Sequence, residues 1–179
     1  MTTAEEFDVI AENCIDLFSK KAKDYGTAWR ILRTESMTDQ IYIKAQRIRS
    51  IEQKGIAKVD EGIIPEYIGI VNYSAMALIQ LEVGVANTME ELMPADEAIS
   101  MFKKYLTNAK ALMMNKNHDY DEAWRKMRLS SLTDIILMKL LRIKQIEDNH
   151  GNTIVSEGLD ANYYDIINYA VFALIKLTI

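Results

Sequence analysis

The sequence predicts an all-α protein built from two tandem copies of one helical unit, and three observations carry that prediction. The 179 residues include only 2 Pro and 7 Gly, while Ala, Leu, Ile, Met, Lys and Glu are abundant. No Asn-Gly or Asp-Gly hairpin signal occurs. Shifting the chain on itself by 95 positions lays DYGTAWRILRTESMTDQIYIKAQRIRSI (24–51) on DYDEAWRKMRLSSLTDIILMKLLRIKQI (119–146), with half of the paired residues identical. After one extra residue, EGIIPEYIGIVNYSAMALI (61–79) lies on EGLDANYYDIINYAVFALI (157–175) with similar agreement.

Each copy reads as helix, short turn-rich segment, helix, loop, helix. The opening helix is expected over 3–22, begun by a capping-box pattern at Thr3 and Glu6. Its counterpart is expected over 94–116, with Pro94 in the first turn. The middle helices are expected to start at Ser36 and Ser131, each followed three residues on by Asp39 or Asp134, and to end near Gly55 and Gly151. The last helices begin near Pro65 and Asp160. Residues 85–93 read as a linker between a first repeat, 1–84, and a second, 94–179, with Thr88 and Glu91 hinting at a short helical turn. Each unit alone has too few helices to cover its apolar stripes. The two therefore pack about a pseudo-two-fold axis as one globular unit, with a groove between them lined by equivalent residues.

The formal net charge of −5 argues against bulk nucleic-acid binding, which needs a basic face. The acidic opening MTTAEEFDVIAENCIDLF resembles no export or transit signal, and no stretch approaches the roughly 18 apolar residues of a membrane span. A cytoplasmic location is expected, with no membrane association. The single Cys14 reads as a core thiol.

The second middle helix, IILMKLLRIKQI, is apolar on nearly every side and reads as buried, yet it carries Lys139 and Arg142 on one face. Lys44 and Arg47 hold the same places in the first copy. A buried cation needs an anionic partner. Either ion pairs hold the units in register, or the Lys-x-x-Arg pairs capture phosphate or carboxylate. Glu61 and Glu157, before the last helix in each copy, are candidate internal partners and candidate catalytic or orienting acids.

On the last helix an arc reads Asn162, Asp165, Asn168 in the second copy and Glu66, Gly69, Asn72 in the first. If the axis brings the arcs together, Glu66 and Asp165 form one composite site suited to a hard cation such as Mg²⁺, the one cofactor the pattern admits; buried hydrogen bonding is the alternative. Asp24-Tyr25 and Asp119-Tyr120 are each followed by a tryptophan, Trp29 or Trp124. Those rings either line a nucleobase pocket or plug the end of the bundle, with the Asp capping the next turn. Tyr73 and Tyr169 face the same choice.

The combination K-x-x-DY-x-x-AW-R, then Lys-x-x-Arg, then Glu-Gly followed by NYA-x-x-AL, resembles the nucleotide modification associated domain 1 family in duplicated form, over perhaps 150 residues. That family is in turn distantly similar to MazG-like all-α nucleoside triphosphate pyrophosphohydrolases, which hold Mg²⁺ with Glu-Glu-x-x-Glu and Glu-x-x-Asp elements. Glu66 falls where the Glu of the second element stands and Asp165 where its Asp stands, so neither copy has both. Ile43 and Met138 occupy the place before the basic pair where single-copy relatives tend to have an acid. The resemblance implies a protein that binds or processes nucleotides, modified or non-canonical deoxynucleotides included, and if an enzyme a hydrolase of nucleoside phosphates. The expected partner is a nucleotide or another small phosphorylated ligand, and the pseudo-dimer can pair again into a homodimer. The contrasting expectation is a non-catalytic helical interaction module with a structural charge network.

Overall fold

The computed structural model describes residues 1–55 and 62–179. The described residues form six α-helices: α1 (Thr3–Tyr25), α2 (Thr34–Lys54), α3 (Ile64–Val83), α4 (Ala95–Tyr120), α5 (Leu129–Asp148) and α6 (Leu159–Thr178). A 3-10 turn joins α1 to α2 at Ala28–Ile31 and α4 to α5 at Ala123–Lys126, and a third turn, Met89–Glu91, lies between the repeats. The class is all-α, as the composition requires.

Each helix packs on its own counterpart: α1 on α4, α2 on α5, and α3 on α6, which make the most extensive contact. Such self-pairing is what a pseudo-two-fold axis produces. The central α3 and α6 are buried along nearly their whole length, from Tyr67 to Gln80 and from Tyr163 to Ile175. One apolar cluster runs through both repeats and includes Phe7, Phe18, Ile41, Ile79, Phe102, Ile136 and Leu174. Neither half could bury these faces by itself.

The helix starts differ from the sequence pattern. Thr2, not Thr3, caps α1: its side chain accepts from the Glu5 amide, and the Glu5 carboxylate accepts from the Thr2 amide at 2.9 Å. Thr3 is buried instead and bonds to Arg125 and Glu122. Helices α2 and α5 begin two residues before Ser36 and Ser131, because the carbonyls of extended Arg33 and Arg128 already accept from Met37 and Leu132. Neither start has a side-chain cap. Helices α1 and α4 run further than expected, placing both Asp-Tyr pairs in their last turns. Gly26 ends α1 with a positive φ of 69°, a conformation glycine adopts without steric cost.

The middle helix of the second repeat is not buried on every side. Ile136, Leu140 and Ile143 face the core, while Met138, Leu141 and Arg142 are exposed. Its main packing is on α2 and α6, which leaves its outer face to solvent.

Two symmetry-related polar links cross the axis inside the core. Thr38 of α2 shares a 2.6 Å hydrogen bond with the Tyr163 hydroxyl of α6, and Tyr67 of α3 shares a 2.6 Å bond with Thr133 of α5. All four residues are buried. Each threonine also donates to a carboxylate at the end of its partner middle helix, Thr38 to Glu147 at 3.3 Å and Thr133 to Glu52 at 2.8 Å. Burial raises both carboxyls. Glu147 reaches about 7, the charges of Glu35, Asp39 and Asp148 adding to burial against the opposing bond from Thr38. Glu52 also rises, through burial first and despite its bond from Thr133.

Candidate functional site

Several polar positions of the repeat line two clefts, one in each repeat, at matching places in the fold. The first is a cleft of about 560 Å³ lined by residues of α1, α2, α3 and the turn between α1 and α2, among them Lys21, Tyr25, Trp29, Lys44, Glu66, Asn72 and Tyr73. The second, about 240 Å³, is lined by residues of α4, α6 and the turn between α4 and α5, among them Lys116, Tyr120, Trp124, Asp165, Asn168 and Tyr169, with no residue of α5 taking part. Each lining comes wholly from one repeat. The composite groove expected from the symmetry does not form there, because the axis runs through the packed α3–α6 core and leaves the clefts on separate flanks. Glu66 and Asp165 accordingly stand in different clefts.

Both clefts share an anchored amide. Asn72 donates from Nδ2 to the Cys14 carbonyl at 3.4 Å, and Asn168 donates to the equivalent Ala109 carbonyl at 3.1 Å. A carbonyl accepts and cannot donate, so the amide nitrogen must face the opening helix and Oδ1 is the free atom. Asn72 is 8 % exposed and Asn168 6 %, and in both the Oδ1 atom is buried without a hydrogen-bond partner. Leaving such an acceptor unpaired costs roughly 1–3 kcal/mol, which a donor on a bound molecule would recover. In the second cleft Trp124 Nε1 is likewise buried and unpaired. Its indole is stacked on Phe172, ring centres 4.3 Å apart, with the Arg125 guanidinium 4.4 Å from its ring centre.

The tyrosines of the Asp-Tyr pairs are not bundle plugs. Tyr25 is 62 % exposed and Tyr120 71 %, at the rims of the clefts, while Trp29 is half-buried against Phe18 and Trp124 is buried. Asp24 and Asp119 are exposed and outside both linings, with Asp119 beside His118 at 3.3 Å. Tyr73 lies under Lys44, whose ammonium is 5.7 Å from the ring centre. Tyr169 meets Phe172 edge-on, and burial, with the Asp165 charge next, raises its hydroxyl pKa.

Electrostatically the clefts differ because the acid of the last helix sits one turn apart in the two copies. In the first repeat Glu66 lies 3.3 Å from Arg47 and 3.8 Å from Lys44. In the second, Asp165 accepts from Lys116 at 2.7 Å through Oδ1 and from Lys139 at 2.9 Å through Oδ2. Burial alone would lower the Lys116 pKa, but the bond and charge of Asp165, helped by Glu157, outweigh it and raise the pKa. Asn162 replaces Glu66 and donates to the Gly158 carbonyl, so Arg142 loses the carboxylate its counterpart has. Arg142 instead lines a separate, more polar cleft of about 710 Å³ with Lys139, Asn162 and the exposed Glu157. Glu61 lies outside the described residues.

The donor set does not fit a hard dication at Glu66 or Asp165. Both Asp165 oxygens are engaged by ammonium groups, and Glu66 faces a guanidinium and an ammonium. Mg²⁺ needs several convergent oxygens, and among the described residues no group of three acids, His or Cys gathers.

Neither burial nor an apolar neighbourhood in the sequence singles out Lys21 or Lys116, although the lysine recurs in both copies three residues before the Asp-Tyr pair. The same holds for Thr38 and Thr133, whose segments read as caps but whose hydroxyls serve the core.

No curated protein and no solved structure matches the chain. Among the described residues, no helix is long and apolar enough to cross a membrane. A family model described as nucleotide modification associated domain 1 matches residues 21–81 and again residues 116–177, starting each time at the lysine of the cleft and running through the last helix of the repeat. With most of each cleft lining inside those two matches, which cover more than half of its length, the chain belongs to the nucleotide modification associated domain 1 family.

Proposed function

We propose that the protein binds nucleotides, with the base held in the aromatic and amide part of a cleft and a phosphate held by the lysines at its edge. The observation that carries this reading is the buried, anchored asparagine with a free Oδ1, present twice, beside aromatic rings and a lysine. A nucleobase offers a donor for that oxygen and a π-face for the rings. Lys21 and Lys44 in the first cleft supply the charge that a phosphate requires. The ligand class includes modified and non-canonical deoxynucleotides, in keeping with the family's description.

A panel of nucleoside mono- and triphosphates, with and without Mg²⁺, tests the reading by thermal shift and phosphate release. A ligand present at 100 times its dissociation constant adds about 2.7 kcal/mol of stability, a readily seen rise in melting temperature. The distant likeness to MazG-like pyrophosphohydrolases is why phosphate release belongs in the panel.

A second reading, a non-catalytic helical module with structural charges, draws on the ion pairs that enclose Asp165 in the second repeat. It prevails if no nucleotide shifts the melting temperature and Lys139→Met leaves folding intact.

A further inference from the structure

We propose that the two clefts take different ligands: the first-repeat cleft takes a phosphorylated nucleoside, and the second takes an uncharged nucleoside or base, with Asp165 standing where the phosphate would be. This rests on the nucleotide reading above and sharpens it.

The two repeats correspond in sequence, Lys21 to Lys116, Lys44 to Lys139, Asn72 to Asn168, although Lys139 reaches the second cleft only through its bond to Asp165, and the decisive difference is Gly69 in place of Asp165. In the second repeat the carboxylate of Asp165 is clamped by the two lysines, one to each oxygen. A phosphate entering there would meet a carboxylate instead of free ammonium groups, and like charges at such range repel. In the first repeat Gly69 supplies no side chain, and Lys44 lies across the bare helix backbone instead. Lys21 makes no ion pair with a described residue, and the one carboxylate in that lining, Glu66, lies 3.3 Å from Arg47 and 3.8 Å from Lys44, looser than the 2.7 Å and 2.9 Å bonds that clamp Asp165. The first cleft therefore offers a phosphate the unpaired Lys21 ammonium and a Lys44 ammonium that is only loosely held by Glu66.

Size and polarity agree with this division. Ligand pockets for drug-sized molecules run to roughly 300–1,000 Å³. The first cleft, at about 560 Å³, falls in that range, and the second, at about 240 Å³, falls below it and suits a smaller molecule. The second cleft also keeps two buried unpaired atoms of opposite kind, the Trp124 Nε1 donor and the Asn168 Oδ1 acceptor. The edge of a nucleobase carries a donor next to an acceptor and needs no charge to satisfy both.

Calorimetric titration of the full chain with the four 2′-deoxynucleoside 5′-monophosphates and their parent deoxynucleosides tests the assignment. The expected result is one monophosphate site per chain, at least tenfold weakened by Lys21→Met, and a deoxynucleoside site that Lys21→Met leaves unchanged. Asp165→Asn keeps the side-chain shape and removes its charge, and it should raise the monophosphate stoichiometry from one to two. The Lys21→Met arm stands independently should Asp165→Asn fail to fold. Two equal monophosphate sites in the wild-type chain, or a single site persisting in folded Asp165→Asn, would overturn the asymmetry while leaving the nucleotide reading in place. Binding of neither class to the wild-type chain would overturn both.

Discussion

Lys44 lies across Gly69, so close that a methyl group on the glycine would come within 2.7 Å of the lysine Cδ and Cε and 3.1 Å of its Nζ. The neighbour is the far end of a flexible side chain, so Gly69→Ala should move the lysine rather than the helix. Alanine in a helix interior is favoured over glycine by roughly 0.5–1 kcal/mol. The melting temperature of Gly69→Ala should therefore hold or rise slightly, while monophosphate affinity falls about tenfold, the loss of one charged hydrogen bond. Thermal denaturation and calorimetry on the same sample read the two effects separately.

Removing Asp165 should be more damaging than removing either lysine. Asp165→Ala leaves the Lys139 and Lys116 ammonium groups facing each other with no anion between them, the first of them largely buried. The expected loss is roughly 1–3 kcal/mol in urea denaturation, below the full cost of breaking a buried pair because Lys116 is half exposed. Lys139→Met leaves Asp165 paired with Lys116 and should cost under about 1 kcal/mol. A larger loss for Lys139→Met than for Asp165→Ala would contradict this picture of the site.

How much of this was legible beforehand depended on whether a feature was local. The helices, their order and the duplication follow from composition and self-similarity, since α3 and α6 share the NY and AL pairs and the same spacing of apolar residues. Lys44, Arg47 and Lys139 do meet Glu66 or Asp165, as the demand of a half-buried cation for an anion implies, whereas Arg142 lies exposed on the outer face of α5. What could not be read was which flank of the axis they face, because the same arc serves a shared groove or two separate clefts until the α3–α6 packing is known. Ser36 and Ser131 misled for a related reason: a Ser-x-x-Asp pattern looks the same whether it caps a helix or lies within its first turns. The Asn72 and Asn168 amides were recognised as polar positions, but their free oxygens exist only because the opening helix supplies the carbonyls of Cys14 and Ala109.

The cross-axis links should be coupled energetically. Tyr163→Phe removes the hydroxyl shared with Thr38, and Thr38→Val removes the other partner. Each change alone leaves a buried polar atom short of a partner and should cost about 1–2 kcal/mol. The double variant should cost less than the sum of the two singles, a deficit that a double-mutant cycle in urea measures.

Glu147 makes stability fall with rising pH. Its carboxyl is raised from the ordinary 4.5 to about 7 in the folded chain, so between those values the folded state holds a proton that the unfolded state has released. Stability from this group is complete below about pH 4.5, declines as pH climbs towards 7, and is flat above. Glu147→Gln should therefore be more stable than the wild type at pH 8 by about 1–2 kcal/mol, allowing for its partial exposure, and equal to it near pH 4. Denaturation midpoints across that range provide the check.

Cys14 is fully buried, and burial pushes its thiol up to about 12. Thiolate is the reactive form, so an aromatic disulfide reagent should fail to label native protein at pH 8 and label it promptly in denaturant. Fast native labelling would mean that α1 opens from the core far more readily than its packing implies.

A crystal structure with a nucleoside 5′-monophosphate bound would bear most directly on the proposal that this chain holds nucleotides. It should place the phosphate within hydrogen-bonding distance of the Lys21 and Lys44 ammonium groups and a base donor on Asn72 Oδ1. Density for the ligand on some other surface, with Asn72 Oδ1 still unpaired, would contradict it.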